Sequence, residues 1–366
     1  MKTIAVFFGG DSNEREISVI TGMMVVNLLR STDNRVLPVY LPNGGGMTLA
    51  EKAKNVEDFI SPDKKYEKVA LLNGALVSLK HPRRKLAAID CALNCCHGGM
   101  GEDGTLSALL AWNKIPSASP DMTLSSVFID KTIAKCVLRG MGIPVLPSFA
   151  VNETEWSDRE SVFEKVREFG YPVIVKPSKL GSSIGITVVR EEESLSAALE
   201  LAFALDDCAL IEQYLPDRRD LNCAAYRLNG EIVLSSIEEV FSHSDILSFR
   251  DKYEGDAHLS QIPAEISPEI KERIGQILTE IYSAFRANGV VRADFLLSGS
   301  DVYFNELNTV PGSLAYYLFS ESMTKARAFL LQLISEAKIT AQKPPVATGI
   351  LSRTDFGGAK RGKLRR

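Results

Sequence analysis

A continuous apolar run at residues 4–8 stops at Gly9-Gly10 and gives way to residues 16–30, where apolar positions recur at helical spacing, so the chain opens strand, glycine turn, helix. A second strand is expected at residues 36–41. Residues 68–72 and 75–79 flank Asn73-Gly74, a dipeptide that tolerates the positive φ of a tight hairpin turn. Residues 89–95 read as another buried strand before a glycine-rich loop, and helices are expected at about 104–113 and 123–140. From Val145 onward strands and helices alternate: strands at 172–176, 186–190 and 209–213, with a helix near 194–204. Beyond Leu215 the pattern becomes antiparallel, with 221–228 and 231–237 around Asn229-Gly230. A polar segment at 241–258, a long helix at 268–286 and two further strands follow. There is no internal repeat or low-complexity tract.

A chain of 366 residues exceeds one typical core, and 45% hydrophobic with 24% charged residues is ordinary globular composition. The pattern divides into 1–120, 121–214 and 215–342, followed by a tail at 343–366. That tail holds seven Lys or Arg and one Asp, against a whole-chain net charge of −4, so the body is acidic and offers no broad nucleic-acid surface. The opening apolar run is too short for a secretory core, and no stretch reaches the length of a membrane span. Six cysteines (Cys91, Cys95, Cys96, Cys136, Cys208, Cys223) show neither disulfide-framework density nor paired C-x-x-C spacing, which predicts buried thiols in a reducing cytoplasm. Cys95-Cys96-His97 is a poor zinc site, because adjacent strand residues point oppositely and no second cluster exists.

The chemistry concentrates in Val291-Arg292-Ala293-Asp294-Phe295 and Asn305-Glu306-Leu307-Asn308-Thr309-Val310-Pro311-Gly312. Burying a carboxylate in an apolar strand is costly unless a cation or partner neutralises it. Arg292 and Asp294 share one strand face, as do Glu306 and Asn308, which sets hard oxygen donors and a guanidinium on neighbouring strands. Magnesium takes oxygen ligands and completes its shell with water and nucleotide phosphates, so Asp294, Glu306 and Asn308 read as a magnesium site that implies a nucleotide. A structural Arg292-Asp294 ion pair is the competing reading. Lys176, at a strand end before Gly181-Ser182-Ser183-Ile184-Gly185, adds a positive charge and a loop whose amides and hydroxyls can close over phosphates. This is neither a Walker loop nor a dinucleotide fingerprint. Lys131 opens a helical stretch, and Glu212 ends a strand where the chain changes character, a place suited to an adenine crevice.

In order, these motifs resemble the ATP-grasp superfamily and, within it, the D-alanine:D-alanine ligases, over roughly residues 3 to 340. The resemblance rests on the run Phe8-Gly9-Gly10-Asp11-Ser12-Asn13-Glu14-Arg15-Glu16-Ile17-Ser18, on His97-Gly98-Gly99-Met100-Gly101-Glu102-Asp103-Gly104, on the Gly181 loop and on the Asn305 to Gly312 run. It implies an α/β (α+β) fold of three domains, an ATP-grasp core behind an N-terminal Rossmann-like domain, with ATP gripped between the central and C-terminal domains. It assigns Lys131, Lys176, Ser182, Ser183, Glu212, Leu215 and Lys252 to ATP, with Asp220 as the ribose partner after a one-residue shift. Asp294, Glu306 and Asn308 would hold two magnesium ions, with manganese as an alternative. Arg292 and the Gly312 amide would hold the oxyanion of a tetrahedral intermediate. Glu14 would take the ammonium of the first amino acid, with His97 near its carboxylate and with Ser182 and Tyr253 orienting Glu14. Lys252-Tyr253 falls in the polar segment, which reads as a lid. A cytoplasmic homodimer with small-molecule substrates is also implied.

One departure bears on the acceptor. Where the family has a serine and a leucine for the second D-alanine's carboxylate, this chain has Tyr317 and Leu318, with Ser313 as a substitute hydroxyl. Tyr253 matches the tyrosine of members that form dipeptides. The expected activity is ATP-dependent joining of D-Ala to D-Ala for peptidoglycan precursors. The alternatives are a different acceptor such as D-Ser, or a nucleotide-binding regulatory protein without turnover.

Overall fold

The computed structural model describes residues 1–60, 66–241, 260–320 and 322–337, so Lys252, Tyr253, the expected lid and the basic tail lie outside the described residues. Three sheets follow one another along the chain. The first contains β1 (Thr3–Gly9), β2 (Arg35–Leu41), β3 (Met47–Leu49), β4 (Glu67–Leu72), β5 (Ala75–Ser78), β6 (Lys85–Ala88) and β7 (Cys91–Asn94), in the order β6-β5-β4-β3-β2-β1-β7. β1 is parallel to both β2 and β7. It is covered on both faces, which is why its sequence is a continuous apolar run. Helix α1 (Arg15–Arg30) lies directly on it. A side chain at Gly22 would bring a Cβ to 2.3 Å from the Phe8 ring, so only glycine allows this approach. The resulting core runs from Phe8, Tyr40 and Phe59 to Phe329 and Leu333, joining the first sheet to the end of the described chain.

Helix α2 (Thr105–Trp112) closes the first unit. The helix expected at 123–140 is in fact two, α3 (Met122–Ile129) and α4 (Lys131–Gly140). Asp130 breaks it: its backbone is extended, and its carboxylate accepts from the amides of Thr132 and Ile133 at 3.0 and 3.1 Å. The same carboxylate accepts from Ser178 Oγ at 2.6 Å, so the break fastens Lys131 beside the end of a neighbouring strand.

The second sheet orders β8 (Ser148–Asn152), β9 (Val173–Pro177), β10 (Thr187–Val189) and β11 (Cys208–Gln213) as β10-β9-β11-β8, all antiparallel. Helices α5 (Arg159–Phe169) and α6 (Leu195–Phe203) cover one face, against Val173, Val175, Ala209 and Ile211. Alternation then sends Lys176 and Glu212 to the opposite face. Neither α5 nor β8 is among the elements expected from the sequence pattern.

The third sheet holds β12 (Arg219–Leu228), β13 (Glu231–Leu234), β14 (Glu238–Val240), β15 (Ser260–Gln261), β16 (Val291–Ser298) and β17 (Asp301–Asn308). Its path is β15-β14-β12-β16-β17, with β13 paired to β12. Helix α7 (Pro268–Ala284) packs Ile274, Ile277, Leu278 and Ile281 against Cys223, Ala293 and Phe295. The other face carries Asn222, Asp294 and Glu306 in one row across three strands, with Arg292 and Asn308 in the next. Beyond it, α8 (Tyr316–Phe319) and α9 (Met323–Ser335) return to the first unit. Of the cysteines, Cys136 is exposed, contrary to the expectation of uniformly buried thiols, because it lies on the outer face of α4.

Candidate active site

The polar faces of the second and third sheets and the loops of the first enclose a cavity of about 520 Å³. Of the residues singled out in the sequence, its wall includes Glu14, His97, Lys131, Lys176, Ser182, Ser183, Leu215 and Asp220, then Arg292, Asp294, Glu306, Asn308, Gly312, Ser313 and Tyr317. Glu212 and Leu318 are not on the wall. Glu212 is completely buried behind Lys176, and Leu318 packs into the core.

On the sheet floor, Asp294 accepts both arms of the Arg292 fork, at 2.8 and 3.0 Å, and the Asn308 amide nitrogen at 3.1 Å. Glu306 lies 3.7 Å from the Lys131 ammonium. Burial opposes the Arg292 charge, but Asp294, Tyr317 and Glu238 outweigh it and raise its proton affinity well above the ordinary value. The donors at 294, 306 and 308 are two carboxylates and an amide, a set that suits a hard divalent cation. Among the described residues no cluster of three or more His, Cys, Asp or Glu side chains encloses a metal, so an ion here needs water and phosphate to complete its shell.

Above the floor, Lys131 Nζ donates to the Leu180 carbonyl at 2.6 Å, and Lys176 Nζ donates to Glu212 at 2.6 Å and Asn305 at 3.3 Å. Burial alone would raise the Glu212 carboxyl, but Lys135 and Lys176 together pull it down to about 2. In the Gly181 loop, Ser182 and Ser183 adopt left-handed φ of 52° and 59°. That strained backbone directs the Ser182 hydroxyl to donate to Glu14. Glu14 precedes α1 but makes no capping bond to it. Its carboxylate instead lies between two glycines: a Cβ at Gly181 would sit 3.0 Å from it, and one at Gly98, where φ is +65°, 2.9 Å.

His97 Nε2 meets Thr21 Oγ1 at 2.9 Å, and the same hydroxyl accepts from the Ser313 amide at 3.2 Å. Burial, aided by the Arg292 charge and opposed by Val310, lowers His97 to about 4, so the ring is neutral. Ser313, Leu314 and Ala315 form a left-handed turn, with φ of 51° to 53°. Tyr317 follows it, its hydroxyl 3.3 Å from Glu238. Burial and Glu238 raise this phenol to about 12 against the influence of Arg292. Asp220 is on the cavity wall, whereas Arg219 turns away to Glu239 at 2.6 Å.

Sequence reasoning missed Glu102, Asn222, Glu238 and Lys135. Glu102 accepts from the Gly98 amide and from the Val310 amide, each at 2.9 Å, and so joins the first glycine loop to the last. Burial and the Glu14 charge raise it to about 7, against the pull of those two amides. Its position inside the glycine-rich run at 97–104 was an available signal. For Asn222, the signal was its spacing of two from Asp220.

Comparison with known proteins places these features in context. Residues 3–120 match the family model described as D-ala D-ala ligase N-terminus, and residues 137–337 the model described as D-ala D-ala ligase C-terminus. The D-alanine--D-alanine ligase of Thermosipho africanus is 34% identical over 333 residues, covering 88% of this chain and 89% of the relative. That of Wolinella succinogenes is 31% identical, covering 87% and 90%. Among solved structures, D-alanine-D-alanine ligase from Helicobacter pylori superposes with a TM-score of 0.78 at 28% identity, covering 92% of this chain and all of the other. The VanG D-Ala:D-Ser ligase from Enterococcus faecalis gives 0.78 at 26%, covering 91% and 99%. With both family domains matched in order, and relatives aligned along most of its length, the chain has the ATP-grasp fold and belongs to the D-alanine–D-alanine ligase family.

Proposed function

We propose that the protein is an ATP-dependent ligase that joins two D-amino acids, D-Ala to D-Ala, through an acyl phosphate, supplying a dipeptide for cell-wall peptidoglycan in the cytoplasm. The observation that carries this reading is one cavity faced by the Ser182–Glu14 pair, the Lys131 and Lys176 ammonium groups and the Arg292–Asp294–Glu306–Asn308 floor. That arrangement supports an anchor for an ammonium, a cradle for phosphates and a site for charge neutralisation around one reacting carbonyl.

In this reading Glu14, held by Ser182, takes the ammonium of the first amino acid, and neutral His97 accommodates its carboxylate without competing for the negative charge. Lys131 and Lys176 hold the triphosphate with the amides at Ser182 and Ser183 and the Ser183 hydroxyl. Leu215 borders the base, Asp220 holds the ribose, and Glu212 acts from behind Lys176. Two magnesium ions, bound through Asp294, Glu306 and Asn308, would neutralise charge on the transferred phosphoryl group. The first carboxylate attacks the γ-phosphorus and ADP leaves. The second amine then attacks the acyl carbonyl, Arg292 and the Gly312 amide stabilise the oxyanion, and phosphate departs as the peptide bond forms. The roles expected of Lys252 and Tyr253 fall outside the described residues, and the working unit is a homodimer.

Incubating the purified protein with ATP, magnesium and D-Ala tests this directly: phosphate and D-Ala-D-Ala should appear in equal amounts, and no phosphate with any pair of D-amino acids would overturn it. A second reading, with another acceptor such as D-Ser, is favoured by Tyr317, whose hydroxyl engages Glu238 where the family has a small serine. Acceptor rates compared across a panel of D-amino acids separate the two.

A further inference from the structure

The Lys135 side chain is 2% exposed and that of its partner Glu212 is not exposed at all. Such burial of an ammonium demands compensation. Lys135 lies one helical turn beyond Lys131 on α4, so both face the second sheet, but Lys131 reaches the cavity and Lys135 stops behind it. In that sheet Leu210 pairs with Lys176, and Glu212, two residues on, is the diagonal neighbour of Lys176 on the same face. The Glu212 carboxylate is therefore shared: one oxygen meets Lys135, the other accepts from Lys176 at 2.6 Å. Two ammonium groups divide one carboxylate, which leaves a single positive surplus. Only Lys176 opens on the cavity, so the surplus is presented there.

We infer that Lys135 is a positioning residue for the nucleotide: by sharing Glu212 it keeps that carboxylate from closing a neutral pair with Lys176, and so leaves the Lys176 charge available to the phosphates. The inference rests on the nucleotide-site reading above and assigns a role to a side chain that does not touch the ligand. Removing the Lys135 charge cancels the surplus, whereas K135R, which keeps a positive charge there, preserves it.

The test measures binding of magnesium–ADP to the full-length protein by calorimetry, in wild type, K135M and K135R, with KM for ATP and for D-Ala in parallel. K135M should bind magnesium–ADP about 10- to 100-fold more weakly, the range expected for loss of one charge-assisted contact. KM for ATP should rise in step, while KM for D-Ala stays within about twofold. K135R keeps the positive charge against Glu212 but matches lysine in shape less well than Met does, so it should stay within about threefold of wild type, a recovery that a purely structural role for Lys135 does not produce. Wild-type affinity in K135M, or K135R no tighter than K135M, overturns the inference. Should K135M fail to fold, K135Q, whose amide can still donate to Glu212 without carrying a charge, takes its place: affinity about 10-fold or more below that of K135R supports the role, and equal affinity overturns it. Absence of nucleotide binding to wild type would instead refute the nucleotide site itself.

Discussion

Replacing Glu102 by Gln should change how the stability of the ligand-free protein depends on pH. Glu102 accepts two backbone N–H groups, from Gly98 and from Val310, yet burial and the facing Glu14 and Glu306 carboxylates raise its carboxyl from the ordinary 4.5 to about 7. A group bound more tightly by its proton in the fold than in the unfolded chain favours folding at low pH, and that contribution is lost as pH rises through the folded value. At about 1.4 kcal/mol per tenfold change in proton affinity, the full effect is about 3 kcal/mol, of which about 2.5 falls between pH 5 and pH 8. Glu102 opens partly on the cavity, where solvent screens it, which reduces the expected change to about 2 kcal/mol. Gln keeps one acceptor oxygen and turns an amide toward the other N–H, a loss of about 1–2 kcal/mol that does not vary with pH. Urea unfolding of wild type and E102Q side by side at pH 5, 6, 7 and 8, with chelator present, reads the difference. The stability advantage of wild type over E102Q should shrink by about 2 kcal/mol across the range. A gap constant within about 0.5 kcal/mol would show that Glu102 is ionised throughout and refute the reasoning.

His97 should act with the opposite sign: lowered to about 4, it stays neutral in the fold while the unfolded chain takes up a proton below 6.5, so stability falls as pH drops from 6.5 toward 4, by about 3 kcal/mol in full, and H97N should remove that slope in acid denaturation. Loss of the Ser182–Glu14 hydrogen bond in S182A should lower kcat/KM for the first D-amino acid about 10- to 100-fold at saturating ATP, read by phosphate release with D-Ala varied. D294N, which removes an anionic oxygen from the floor, should raise the magnesium concentration for half-maximal activity at least about tenfold; an unchanged titration would remove Asp294 from the metal set. Y317F, which deletes the hydroxyl facing Glu238, should raise KM for the acceptor amine several-fold with KM for ATP unchanged, and equal effects on both would place Tyr317 outside the acceptor site.

Much of the cavity wall is legible in the sequence, for a local reason. Period-two alternation places Arg292 with Asp294 and Glu306 with Asn308 whatever lies opposite, and the neighbouring apolar positions identify the buried face. The same logic located Lys176. The glycine-rich runs marked where backbone must approach closely, as at Gly98 beneath Glu14. Boundaries fared less well at 123–140, where helical periodicity runs through Asp130 although its carboxylate caps a new helix and fastens to Ser178. Helix α5 escaped notice because its apolar positions are few, its core contribution resting on Val162 and Val166.

Alternation and helical spacing are properties of neighbouring residues, so the faces of strands and helices, and with them the side chains that can share one wall, follow from the amino-acid order alone. Which of those groups meet depends on the packing of elements far apart in the chain. Glu102 holds Val310 from 208 positions away, Lys135 rests against Glu212 between two elements, and Glu212 and Leu318 withdraw from the wall. Those pairings depend on how α4 settles on β9 and β11 and how the last glycine loop closes on the first, and no periodicity within a single element encodes that distance.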